Sequence, residues 1–409
     1  MFRKSTKWLT PAFFVLLFIL IRSVYFHNQF NFIYDQVASS TKVLELWRTK
    51  SISLIGPHMS FTVQGRQVFF GGFSYAMDLL FLLIGRFDPF LATYAFMIFC
   101  SLMILPLYFG TKKLINQPAA LIMVIIYTLL PYFIDSTVQL WNPYYMFSLF
   151  PLTVYLMGAF KKNKSPKIFL TLSIINGLCF QLHYLFIFAW FGLAVYYFLV
   201  EKLSKKYLAI YIGGFALGIS NLIAFEVRNN FYLLQTLWIF VNHPREASHH
   251  WIAAYYLLSI VFFGILAILG IYKKRLRTSM AVGLFIILSL FTIPHITSGA
   301  RERSAPKNWY YEDDIKVYEI IKANLATYQD VNIFEFFDAT GNPPKYFLKL
   351  DKVALDYDDY YNNKYLYVVY NNDQFMKNAA YEVASFSPSK TVKIWKINET
   401  YNLYLLERL

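Results

Sequence analysis

The chain has 409 residues, of which 57% are hydrophobic, 20% aromatic and only 15% charged. A soluble domain of this size carries roughly a quarter charged residues, so the composition excludes an ordinary soluble protein and indicates a polytopic membrane protein. The formal net charge of +14 falls in short Lys/Arg clusters between apolar runs. Such clusters report membrane topology and give no support to nucleic-acid binding.

The charge divides the chain. Residues 1–297 hold 24 Lys+Arg against 8 Asp+Glu, a balance of +16, and residues 298–409 hold 14 against 16, a balance of −2. The expected organisation is a membrane domain over 1–297 and a small extracytoplasmic α/β domain over 298–409. Arg3, Lys4 and Lys7 precede the first apolar run, no small-residue cleavage site follows it, and Arg22 comes directly after it. This pattern predicts an uncleaved signal anchor with its N-terminus in the cytoplasm.

Candidate spans are 8–26, 89–110, 118–134, 143–160, 168–182, 184–200, 208–226, 251–271 and 278–297. Several are shorter than the roughly 20 residues that cross a bilayer upright. Residues 67–85 are a tenth apolar run, but Gly71-Gly72 and Asp78 argue against a clean span there. A carboxylate at mid-membrane costs about 2.5–3.5 kcal/mol on insertion scales. Treated as an interfacial helix, 67–85 leaves nine spans and puts Lys112-Lys113 and the clusters at 161–167, 201–206 and 273–277 together in the cytoplasm. The positive-inside rule prefers that arrangement, with the C-terminal domain outside the plasma membrane.

The first outer loop, 27–66, carries Asp35 just past the exit of the first span. A charged group at that depth is costly without a role or a partner. After it, Val37, Thr41, Leu44 and Trp47 recur at helical spacing with Lys42, Glu45 and Arg48 between them, predicting a helix at the interface. The same topology places His58, Arg66, Asp88, the turn 135–143 with Asp135, Trp141 and Asn142, the pair His183 and Tyr184, Glu226 and Arg228, and 243–250 on the outer face. His249-His250 lack helical spacing or a carboxylate partner, so neither a metal nor another cofactor is expected, although a divalent ion is compatible with the chemistry. Cys100 and Cys179 fall within apolar runs and suggest no disulfide.

Beyond 298 the long apolar runs stop. A helical stripe (Ile315, Tyr318, Ile321, Leu325) precedes strand-like runs at 331–337, 364–370, 391–397 and 401–408. The stretches 340–344 and 356–364 read as loops, and Asn398-Glu399-Thr400 matches a glycosylation acceptor. No phosphate loop, zinc motif or nucleophile elbow occurs, so this domain is expected to shape the acceptor entrance rather than perform chemistry.

An outward-facing membrane enzyme has no nucleotide sugar to draw on, but it can use a lipid-embedded donor such as a polyprenyl-phosphate sugar. Inverting transfer needs a carboxylate to take the acceptor proton and donors to hold the departing phosphate. Asp35 suits the first role, and Arg66 and Arg228 the second. Over roughly residues 8–300 the chain resembles the GT-C superfamily of membrane glycosyltransferases, in particular the protein O-mannosyltransferase and aminoarabinose-transferase group. The resemblance rests on Tyr34-Asp35-Gln36 after the first span, the long outer loop ending in an interfacial helix, and the short spans thereafter. The turn with Asp135, Trp141 and Asn142-Pro143, and the outer stretch from Gln181 to Tyr184, are also similar.

The resemblance implies that Asp35 is the catalytic base and Asp135 a second catalytic carboxylate, with His58, Trp141, Asn142, His183 and Tyr184 near the substrates. It also implies membrane lipid around the bundle and an extracytoplasmic acceptor that is a glycan, lipid or protein. Two departures stand out: Gln36 follows Asp35 where a second acid is common, and Phe70-Gly71-Gly72 occupies the place of a His/Lys-Pro-Pro element. The competing classes are a transporter or flippase of lipid-linked glycans and a non-enzymatic assembly subunit. The absence of an internal repeat and the gathering of polar residues at one face argue against transport.

Overall fold

Apolar helices with short connections make up residues 1–297 of the computed structural model, which describes residues 2–30, 32, 34–242, 252–297, 308–335, 343–353, 362–371 and 381–409. The helices are α1 (Phe2–Gln29), α2 (Asp35–Thr49), then a hairpin of β1 (Ile55–Val63) and β2 (Arg66–Gly71), followed by α3 (Phe73–Ile84), α4 (Pro89–Leu102) and α5 (Ile104–Leu114). Next come α6 (Gln117–Leu129), the short α7 (Pro131–Ser136), α8 (Asn142–Asn163), α9 (Pro166–Leu182) and α10 (Phe186–Val195) with a π-helical extension over Tyr196–Val200. The membrane part closes with α11 (Lys205–Gly218), α12 (Ser220–Arg228), α13 (Tyr232–Asn242), α14 (Ile252–Ile271) and α15 (Thr278–Thr297).

Three stretches are long and apolar enough to cross a membrane: Trp8–Phe26, Pro89–Leu114 and Thr278–Thr297. Helices α11 and α12, bent by 67° at their break, make a fourth if the pair counts as one span. The remaining apolar helices, such as Gln117–Leu129 and Pro166–Leu182, are shorter. The nine expected spans are therefore not all present as full-length helices among the described residues. The stretch 67–85 also differs from expectation: it is one strand of a hairpin up to Gly71 and a helix only from Phe73. Paired glycines at the junction allow the backbone approach that ends the strand there.

Small residues let the helices pack closely, as in membrane bundles. A Cβ on Gly158 would lie 2.6 Å from the Gly110 carbonyl oxygen, and one on Gly218 only 2.3 Å from that of Ile174. Aromatic rings fill the rest. Phe150, for example, stacks on both Phe186 and Phe262. The buried Asp78 is tied down, accepting from the Tyr145 hydroxyl. That bond accounts for a carboxylate on an apolar helix.

The described residues form two compact units. The first comprises Met1–Phe26, Ser51–Phe81 and Thr93–Ser298; the second comprises His27–Lys50, Leu82–Ala92 and Gly299–Leu409. The start of the first outer loop, with α2, thus belongs with the C-terminal residues.

In the second unit, α16 (Tyr311–Asn324) is followed by β3 (Val331–Glu335), α17 (Pro343–Leu350), β4 (Tyr365–Tyr370), α18 (Tyr381–Ala384), β5 (Ser389–Lys396) and β6 (Asn402–Arg408). The sheet order is β3-β4-β6-β5, with β3 and β4 parallel and the other pairs antiparallel. Alternate residues of β4 and β6 feed two cores. Tyr367, Val369, Leu403 and Leu405 pack with Val317 and Ile321 of α16, whereas Leu366, Val368, Tyr404 and Leu406 pack with Val383 and Phe386. A strand buried on both faces needs a near-continuous apolar run, which is what YLYVVY supplies.

Helix α16 begins with Glu312, Asp313 and Asp314, acids favourable at a helix N-terminus. The Asp313 carboxylate accepts the Tyr310 amide at 2.8 Å. Helix α17 begins at Pro343-Pro344, the last two residues of the stretch 340–344 that reads as loop, because proline is well placed at the opening of a helix. Asn398 of the glycosylation-like triplet uses its side chain internally. It accepts from the amides of Thr400 and Tyr401 and donates to Asp313. Of the loop expected at 356–364, residues 356–361 lie outside the described residues, as does 243–250 with its histidines.

Candidate active site

Asp135 lies on α7, a six-residue helix that Pro131 opens at its first position. Its Oδ1 accepts hydrogen bonds from the Tyr25 hydroxyl at 2.6 Å and from His295 Nε2 at 2.8 Å. The Tyr25 and His295 rings stack, with centroids 5.2 Å apart and planes within 19° of parallel. Asp135 and His295 keep 20% and 28% of their side-chain surface, enough for a ligand to reach the pair. One turn before Tyr25, Arg22 is fully buried. It donates to Thr137 Oγ1 at 2.7 Å, to the Thr128 carbonyl at 2.8 Å and to the Tyr127 carbonyl at 3.2 Å, and its guanidinium lies 3.3 Å from the Phe18 ring centroid. Arg22 is therefore no flanking charge at the end of the first span, but a buried tie between α1 and the α6–α7 segment.

Sequence reading found Asp135 but missed Arg22, Tyr25 and His295. The signal for His295 was a histidine beside Pro294 at the end of an apolar run, which looks like a helix terminus. Nothing in the sequence links positions 25, 135 and 295.

A second cluster forms where the hairpin meets α9 and α12. Gln181 is almost fully buried. Its Oε1 accepts from the Phe73 amide at 3.2 Å and from Asn221 Nδ2 at 2.8 Å, and its Nε2 donates to the Gly218 carbonyl at 2.5 Å. That last bond takes up an acceptor at the α11–α12 break, which fits the sharp bend there. Asn221 also donates to the Leu54 carbonyl, which accepts the Gly72 amide as well. Tyr184 donates to the Phe69 carbonyl, and Phe70 packs on both His183 and Tyr184.

Asn142 and His183, expected near substrate, serve this framework. Asn142 is buried and donates to the Leu182 carbonyl at 3.1 Å. His183 is buried and its Nδ1 accepts the Leu185 amide at 3.2 Å, so its proton resides on Nε2 in the neutral form. Burial pushes its pKa down to about 3. Trp141 is partly accessible and sits edge-on to Tyr144 at 4.9 Å.

Of the two arginines proposed for phosphate, Arg66 stacks over the Tyr232 ring at 4.4 Å. It also donates to the Tyr232 carbonyl at 3.2 Å and to Gln235 Oε1 at 3.4 Å. Arg228 is exposed at the last residue of α12. His58 is exposed on β1, its Nδ1 3.0 Å from the Met59 carbonyl. Among the described residues no group of three or more His, Cys, Asp or Glu side chains is arranged to hold a metal ion.

Asp35 lies in the other unit. It is the first residue of α2 and is exposed; Tyr34 before it has φ 46° and ψ −120°. The predicted loop helix is present as Asp35–Thr49, with Lys42 3.1 Å from Glu45 on its solvent side.

A partly accessible carboxylate held by a histidine and a tyrosine sits on a scaffold of apolar helices of the kind found in membrane proteins. The class is narrowed by comparison with known families. Residues 72–224 match the family model described as dolichyl-phosphate-mannose-protein mannosyltransferase. The match supports a GT-C superfamily glycosyltransferase, mannosyltransferase-like, that draws its sugar from a polyprenyl-phosphate donor in the membrane. It spans α3 to α12 and contains Asp135, Trp141, Asn142, His183 and Tyr184, but not Asp35. No curated protein matches the chain.

Proposed function

We propose that the chain transfers a sugar, with inversion, from a polyprenyl-phosphate donor to an extracytoplasmic acceptor that is a glycan, lipid or protein, with Asp35 as general base. The bond from the anomeric carbon to the donor phosphate breaks as a bond to the acceptor oxygen forms, and the Asp35 carboxylate takes the acceptor proton. The observation that carries this reading is the placement of Asp35. It is exposed at the opening of α2, directly after the first helix long and apolar enough to span the bilayer. Glu45, the other acid of that loop, is engaged by Lys42 and is better read as paired surface charge.

In this reading Asp135 is the second carboxylate, already held by Tyr25 and His295. Arg66 and Arg228 bind the departing phosphate. Trp141 and His58 meet sugar or acceptor, while Asn142, His183 and Tyr184 keep the surrounding framework in place. The protein crosses the plasma membrane nine times with its N-terminus inside and residues 298–409 outside. The shorter apolar helices supply the extra crossings in a locally thinned bilayer, an accommodation open to short spans.

The test is turnover by the purified protein with polyprenyl-phosphate mannose as donor and an extracted envelope fraction as acceptor. A positioned base contributes on the order of 10²–10⁴-fold in rate. Asp35→Asn should lose about that factor with donor binding retained, and Glu45→Gln should be nearly silent. Near-normal transfer by Asp35→Asn would remove Asp35 from the chemistry.

A further inference from the structure

The segment that carries Asp35 is gripped by the C-terminal residues at both of its ends. Before α2, Phe32 is buried and meets the Tyr346 ring edge-on at 5.1 Å and the Phe347 ring at 6.1 Å. Phe30, also buried, packs edge-on against Tyr311 at 5.0 Å and Phe90 at 5.3 Å. Alternate residues of the approach are thus pinned to α17 and to the start of α16.

At the far end of α2, the Arg48 guanidinium donates to the carbonyls of Lys349 at 2.8 Å and Leu350 at 2.9 Å. These are the last two residues of α17, where the helix dipole is negative; the Lys349 carbonyl also accepts the Lys352 amide at 2.9 Å. Two parallel donors from one planar group fix rotation as well as distance. Lys349 Nζ returns toward Glu45 at 3.9 Å. The Tyr346 hydroxyl donates to the Phe87 carbonyl at 2.8 Å, and the Phe87 ring packs at 6.4 Å from Trp47 of α2.

Between the pins stands Tyr34 at φ 46°, a conformation that a bulky residue keeps only when its surroundings impose it. That residue immediately precedes α2, so its conformation is fixed at the point where the helix and Asp35 begin.

We propose that α17 and the start of α16 act as a clamp that orients α2, and that Phe32, Arg48 and Tyr346 are positioning residues for Asp35. The proposal rests on the reading of Asp35 as general base. It gives residues 299–409 a part in catalysis although they carry no catalytic motif, because a base must be held in place before it helps. The exposed Lys42–Glu45 pair and the longer Lys349–Glu45 contact offer no such grip, since surface ion pairs are easily broken.

The experiment uses the full chain in detergent or lipid discs, with two readouts. The first is steady-state transfer from polyprenyl-phosphate mannose. The second is the distance distribution between nitroxide labels at Ala38→Cys on α2 and Lys352→Cys just after α17, which needs no substrate. Cys100 and Cys179 are buried and leave the background low. Phe32→Ala and Arg48→Ala should broaden the distribution and lower kcat by tenfold or more, with the KM for donor changed less than twofold. Arg48→Lys, which keeps one donor, should recover part of both losses, and Tyr346→Phe, which keeps the ring under Phe32, should do better than Tyr346→Ala.

A broad distribution in the unsubstituted protein, or a narrow one in Phe32→Ala and Arg48→Ala, overturns the clamp. Broadened labels with unchanged kcat, beside an inactive Asp35→Asn, overturn the positioning role and leave the base reading intact. Normal turnover by Asp35→Asn overturns the base reading and with it the catalytic purpose of the clamp, whose grip the label distances still measure.

Discussion

His295 Nε2 lies 2.8 Å from Asp135 Oδ1, joining two residues 160 positions apart in sequence. The same oxygen accepts the Tyr25 hydroxyl, so α1, α7 and α15 meet at one carboxylate. A carboxylate oxygen that accepts two donors from two other helices is fixed in orientation. Replacing either donor therefore has consequences for stability and for how Asp135 is held.

Tyr25→Phe keeps the ring stack and removes only the hydroxyl. It should cost about 1–3 kcal/mol, the range for leaving a partly buried acceptor short of a charge-assisted bond. His295→Ala removes the stack as well and should cost more. Thermal unfolding in detergent, followed by intrinsic fluorescence, checks both. If the two variants are not additive with Asp135→Asn, the three residues act as one unit.

The hairpin junction predicts a strict glycine requirement. A Cβ on Gly71 would lie 2.3 Å from Gln181 Oε1 and 2.6 Å from its Cβ and Cγ, and Gln181 is held at both ends. It has nowhere to retreat, so Gly71→Ala should destabilise by about 1–3 kcal/mol, the range for overpacking. Gly192, with nothing within 4 Å of such a Cβ, is the control and should tolerate alanine. Comparable melting temperatures for the two variants would contradict the packing described at the junction.

His183 gives a pH signature. Its pKa in the folded protein is pushed down to about 3 by burial, below its ordinary value near 6.5. The unfolded chain therefore binds the proton first. The stabilisation is complete above pH about 6.5 and is lost as the pH falls toward the folded value, by at most about 1.4 kcal/mol per unit. His183→Gln, whose amide oxygen still accepts the Leu185 amide, should flatten the melting temperature between pH 6.5 and 4. An unchanged slope would show that other groups set the acid response.

The nine-span arrangement makes a labelling prediction. Single cysteines at Lys112 and Lys162 should react only from the cytoplasmic side, because the positive-inside rule collects the lysine clusters there. Labelling of both from outside would require 67–85 to cross the membrane. The strand over Arg66–Gly71 leaves only the twelve residues of α3 for such a crossing, fewer than the roughly 20 an upright span needs.

The sequence by itself determined what depends on local composition and period. Apolar runs between lysine clusters set the membrane character and the sidedness expected for it, since burying charge in lipid is costly wherever it occurs. The helical stripe at Val37–Trp47 was legible from its 3.6-residue period, and the four strands after residue 330 from short β-branched and aromatic runs bounded by turn residues. Tertiary structure alone decided which distant residues meet. Arg22 read as a flank of the first apolar run, yet the α6–α7 segment supplies two carbonyls and a hydroxyl that make its burial tolerable. His295 reached Asp135 only through helix packing, and Gly71 became indispensable only because Gln181, 110 residues later, fills the space beside it. No local period encodes such pairings. They arise because buried polar groups must find partners, and in a helical bundle the available partner lies on another helix.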